Sequence, residues 1–182
     1  MKAHVLDIPA GEEPARPVEA ARQLDSAEMA AANINPATGL ATDYLNHFNE
    51  AIMMLELIPS MPACIDDLMG WNVMTYREHF LAATQKHRDD VLIAYDTADP
   101  QARIMLDEIA DTMSSILSAT RDALRLDLSP TVAAGLAREA AYQLKPLVAR
   151  AGAVINGLKV SGDIPLAGVA QAAVDAILDR RS

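Results

Sequence analysis

Apolar residues recur once per helical turn along most of this chain. Leu40, Tyr44, Phe48, Ala51, Ile52, Leu55 and Ile58 share one side of a rod at 3.6 residues per turn. Met105, Ile109, Met113, Ile116, Leu117, Thr120 and Leu124 repeat the arrangement, and Asp107, Glu108, Asp111, Ser115 and Asp122 fall on the opposite, wet side. Alternating Val/Ile/Thr runs that would suit a half-buried strand are missing. The pattern predicts an all-α fold, a bundle of six or seven helices with apolar stripes packed inward.

Turn and cap residues divide the rods. Residues 1–17 hold three prolines, a glycine and the pair Glu12-Glu13, which predicts a flexible N-terminal arm ahead of a single helical domain over 18–182. A first helix is expected from Val18 to about Ala32. NPATG at 35–39 reads as a turn, with Pro36 restricting one dihedral and Gly39 freeing another. The next helix should run from Leu40 or Thr42 to Ile58, where Pro59 and Pro62 forbid its continuation. A short helix over Ala63–Met69 follows.

Thr75 and Glu78 have the spacing of a capping box, opening a helix expected to reach about Thr97. Asp99-Pro100 and Ser129-Pro130 each combine a cap with a first-turn proline. Pro146 is expected to kink or divide the segment after Ser129, and Asp163 to cap a last helix through about Leu178.

Composition narrows the function. The formal charge of -10 comes with scattered basic residues, apart from Arg180-Arg181. Nucleic acid requires clustered Lys and Arg to displace counterions, so DNA and RNA are not expected partners, and neither is an anionic membrane. No apolar run is long enough to span a bilayer, and MKAHVLDIPAGEEPARP lacks the apolar core of a signal peptide. Cys64 is the only cysteine, which rules out an internal disulfide or a cysteine-cluster metal site and fits a reducing cytoplasm.

Candidate chemistry gathers in two places. Asp43, His47 and Glu50 lie on successive turns at the border of an apolar stripe, where imidazole and carboxylate can share a divalent cation. A second helix would have to complete the set, through His79, Glu78 or the Asp66-Asp67 pair. Two Glu-x-x-His motifs, the mark of di-iron bundles, are lacking, because Tyr44, Tyr76 and Thr84 stand three places before His47, His79 and His87. Each ligand also has a plainer role: Asp43 suits a helix N-terminus, and Glu78 suits the capping box. His87 falls on the apolar face of Tyr76, Phe80, Ala83, Val91 and Ala94, where a hydrogen-bonded core histidine is expected. A phosphotransfer role for His47 has little support, since Phe48 rather than an acidic residue follows it. No nucleophile elbow or phosphate loop occurs.

The second place is rich in sulfur. Met53, Met54, Met61, Met69 and Met74 cluster around the sole tryptophan, Trp71. Thioethers are flexible and polarizable, so these residues either fill core gaps or form a surface that adapts to a partner.

NPATGLATDYLNHFNEAIMMLELIP at 35–59, with YREHF at 76–80, resembles a segment of uncharacterised all-helical proteins of proteobacteria. The resemblance covers about the middle third of the chain, implies a bacterial origin and carries over no activity or catalytic residue. The function expected is therefore binding: of a second copy in a homo-oligomer, of another protein, or of an apolar small molecule. A metal-binding or acid-base enzyme using a His/carboxylate cluster in the bundle is the alternative.

Overall fold

Two proline-led helices form the spine of the protein. In the computed structural model, which describes residues 23–84 and 86–158, α6 spans Pro100–Leu124 and α7 spans Pro130–Ile155. Each starts as its sequence requires. Asp99 accepts a hydrogen bond from the Ala102 amide at 2.7 Å, and Ser129 accepts one from Val132 at 3.4 Å. These side chains satisfy amides that the first helical turn leaves free. Helices α6 and α7 pack together, with Leu106, Met113 and Leu117 of α6 and Ala137, Leu144 and Ala151 of α7 all buried in the core. The alanines of α7 let the two backbones approach closely.

Helix α2 (Tyr44–Leu57) packs on α7, burying Tyr44, Phe48, Ala51 and Leu55. Four shorter helices complete the described residues: α1 (Ser26–Ala31), α3 (Cys64–Gly70), α4 (Tyr76–Ala82) and α5 (Arg88–Asp96). The only bridge of β type among them joins Ile34 to Ala41. The all-α fold is thus present.

The 35–39 turn does more than connect. Thr38 donates its hydroxyl to the Ile155 carbonyl at 2.6 Å, and the Thr38 carbonyl accepts from the Asp99 amide at 2.9 Å. One residue therefore ties the C-terminal end of α7 to the cap of α6. Gly39 adopts φ +74°, and a Cβ there would stand 2.9 Å from the Ala98 Cα. Only glycine meets both demands without strain.

Several boundaries differ from those expected. Among the described residues the first helix starts at Ser26, where Asp25 and Glu28 form a capping box; the start expected at Val18 lies outside the described residues. So do the 1–17 arm and the last helix expected behind Asp163. The rod expected from Thr75 to Thr97 is two helices. Its capping box is formed, with Thr75 bonding the Glu78 amide, yet the chain turns extended at Ala83 (ψ 142°). This break lets α5 fold back so that Tyr76 and Phe80 of α4, and Val91 and Ala94 of α5, all reach the core.

His87 accordingly stands at the N-cap position of α5, not on the middle of an apolar face. Its Nδ1 lies 3.2 Å from an Asp90 carboxylate oxygen. Pro146 does not divide α7, which remains helical from Pro130 to Ile155. The hydrogen bond it removes would have used the Tyr142 carbonyl. Tyr142 is 76% exposed, so that carbonyl lies on the face where water can serve it.

Candidate functional site

Trp71 organises the region around α2. The chain leaves α3 at Trp71, whose extended ψ of 136° turns it back across α2. The indole is 5% exposed, donates its N–H to the His47 carbonyl at 3.1 Å, and stacks on the His47 ring at 4.4 Å. Hydrogen bonding and stacking together satisfy both the polar and the apolar parts of the indole. Trp71 is therefore a core residue and not part of a free surface.

That placement splits the Asp43, His47, Glu50 stripe. His47 is 8% exposed beside Trp71, whereas Glu50 remains in solvent. Asp43 points elsewhere, its two carboxylate oxygens each 3.3 Å from the Asn33 amide nitrogen. Of the three expected on one sector, only His47 is covered, by Trp71. Glu78 is occupied too, accepting from the Thr75 amide at 2.8 Å and the Thr75 hydroxyl at 2.9 Å.

A contact between helices does form, with His79. Its ring on α4 stands 5.6 Å from that of His47, centroid to centroid. The edge of Tyr44 meets His79 at 5.7 Å, and Phe48 meets His47 at 5.5 Å. Burial lowers the His47 pKa to about 4; the neighbouring His79 pushes the same way, and a hydrogen bond with the Asn72 backbone opposes both. Burial also lowers the His79 pKa, against the opposing field of Asp43. Both imidazoles are thus neutral at pH 7. Among the described residues, no three His, Cys, Asp or Glu side chains converge to hold a metal.

Beside this aromatic cluster lies an open groove of about 720 Å³ between α2 and α3. Met53, Met54, Leu57 and Met74 supply its apolar lining, while Glu50, Asp66 and Asp67 supply carboxylates. His47 and Trp71 reach it as well. The two candidate sets, sulfur and acid, therefore meet in one place. Met53 is 55% exposed there, and Met54 is buried. Met69 is partly buried against the core, and Met61 is exposed outside the groove lining.

Sequence reasoning missed Leu57, Cys64, Gly70 and Asn72 as lining residues. Leu57 follows Met53 by one helical turn, a signal that was present. The roles of Cys64 and Asn72 depend on how α3 returns to α2, which no local spacing encodes.

A second cavity, of about 390 Å³, opens between α4, α5 and α6. Tyr95 hydrogen-bonds Asp107 here, and burial and the Asp111 charge raise the Asp107 pKa. Glu108, Asp111, Ser115 and Asp122 on the acidic face of α6 are exposed as their spacing suggests, while the carboxyl of Asp107 is drawn against Tyr95 by the fold. In comparisons with known proteins, the chain matches no protein family, no curated protein and no solved structure.

Proposed function

We propose that this is a binding protein whose α2–α3 groove receives a basic, amphipathic helix from another protein. The observation that carries the reading is the convergence of Met53, Leu57 and Met74 with Glu50, Asp66 and Asp67 in one open groove. A helix laid in a groove anchors apolar side chains at successive turns. Thioethers adapt to such anchors, and carboxylates beside them favour lysine and arginine along the polar flank.

The charge supports a partner of opposite sign. A second copy of this chain would bring its own -10 formal charge, so two such grooves facing each other would repel. An apolar small molecule suits the site less well, since the groove is open and carboxylates line it.

The test is titration of a fluorescently labelled synthetic helix with leucine on one face and lysine on the other. Saturable binding that weakens with salt is expected. Asp66→Lys with Asp67→Lys should weaken it about tenfold or more, the loss of roughly 1.4 kcal/mol or more, and Leu57→Asp should do the same. The reading fails if a matched peptide with glutamate in place of lysine binds equally well, or if neither variant changes the affinity.

A further inference from the structure

The His47–His79 pair has no part in the groove's proposed role, and its chemistry is specific. The Nε2 atoms of both rings are buried and have no hydrogen-bond partner in the protein. A buried polar atom without a partner costs about 1–3 kcal/mol, so two of them on touching rings from different helices require an explanation.

The tautomer of His47 follows from its surroundings. The ring engages the Asn72 backbone in a bond that favours its protonated form, and Nε2 is the atom without a partner. The Nδ1–H is therefore the donor, which leaves the Nε2 lone pair free. Histidines that bind metals are held in this way, with one ring nitrogen donating to a backbone carbonyl and the other facing the ion.

The ligand number selects the ion. Zinc and iron(II) take four or more ligands, and no three His, Cys, Asp or Glu side chains converge here among the described residues. Soft monovalent ions accept two or three donors, including thioethers such as those of Met54 and Met74, which line the groove that His47 also reaches. With metal–imidazole bonds of about 2 Å, a linear ion would hold the ring centroids about 6 Å apart, so the observed 5.6 Å calls for a bent, three-coordinate ion whose third donor is a thioether.

Charge points the same way. The cost of burying an ion rises with the square of its charge, so one positive charge is tolerated far better than two beside Trp71, Tyr44 and Phe48. The Asp43 carboxylate, whose field reaches His79, offsets a single charge. We propose that His47 and His79 form a two-imidazole site for a soft monovalent metal ion, Cu(I), next to Trp71.

The full chain is titrated anaerobically with Cu(I) against a chromophoric competing chelator while Trp71 fluorescence is recorded. Trp71 is the sole tryptophan and stacks on His47, so it reports locally. One Cu(I) per chain and strong quenching are expected. His47→Gln and His79→Gln, each shown to be folded by circular dichroism, should lower the affinity by about 100-fold or more.

X-ray absorption on the Cu(I)-loaded wild-type protein should show imidazole scattering and two or three short ligands, which decides the matter even if a variant fails to fold. Failure to hold Cu(I) against the chelator overturns the proposal. So does a shell made only of sulfur, affinity unchanged in both folded variants, or tighter binding of Zn(II) than of Cu(I).

Discussion

The rings of Tyr76 and Tyr95 stack face to face, with centroids 4.5 Å apart and planes inclined by 14°. In one straight helix they would stand about 28 Å apart, at 1.5 Å per residue. The stack therefore exists only because the chain breaks after α4, and it closes the α4–α5 hairpin together with the Arg77–Asp96 ion pair. Tyr76 also accepts the Ala41 amide at 2.8 Å, so the hairpin is fastened to the 35–39 turn region as well.

Replacing Tyr95 by leucine keeps apolar volume but removes the stack and the hydrogen bond to Asp107. A loss of about 1–2 kcal/mol in urea unfolding is expected. The ion pair should matter less, because both its members are substantially exposed. Arg77→Ala that destabilises more than Tyr95→Leu would reverse this ranking.

Acid should weaken the fold through His47. Its folded pKa lies near 4, below the usual imidazole value of 6.5. Above pH 6.5 both folded and unfolded states carry a neutral ring, so the group makes no difference. As pH falls from 6.5 towards 4 the unfolded state takes up the proton first, and stability declines by an amount on the order of 3 kcal/mol. His79 acts in the same direction. Chemical denaturation between pH 6.5 and 5, before most carboxylates titrate, should show a steeper decline for the wild type than for His47→Gln. Parallel slopes would count against a buried neutral ring.

Thr38→Val should be costly for so small a change. The volume is nearly conserved, but the Ile155 carbonyl loses the buried hydroxyl that satisfies it. A cost of about 1–3 kcal/mol follows from leaving that acceptor without a partner. Thr38→Ser, which retains the hydroxyl, should recover most of it in thermal unfolding.

Gly39→Ala combines a left-handed backbone with a clash against Ala98. The backbone conformation alone costs about 1–2 kcal/mol, and the contact adds to it. Ala98→Gly in the same chain should relieve part of the clash and leave the backbone cost in place. A double variant no more stable than Gly39→Ala would show that the backbone atoms met by the added methyl, the Ala98 Cα and the Ala94 carbonyl, carry the clash rather than the Ala98 side chain.

Much of this architecture is local in origin, and local features were legible. The stripe from Leu40 to Ile58 is buried throughout, as are Ile109, Met113, Ile116 and Leu117 on α6. The Thr75, Asp99 and Ser129 caps and the Gly39 turn stand where residue type and spacing put them. Such features involve neighbours within four residues, so the chain encodes them directly. The break after α4 involves no proline or glycine, and α7 continues through Pro146, because distant contacts and solvent access outweigh the local preference in each case.

The candidate site divides along the same line. Spacing alone singled out His47, Glu50 and the methionines, and identified His79 and the Asp66-Asp67 pair as residues another helix could contribute. Only the tertiary structure decided that Trp71 turns inward onto His47, that His79 reaches that ring while Asp43 turns to Asn33, and that Asp66 and Asp67 share a groove with Met53. The physical reason is that periodicity specifies the face of a helix on which a side chain lies. What lies across from that face depends on how separate helices pack, through contacts between residues far apart in the chain.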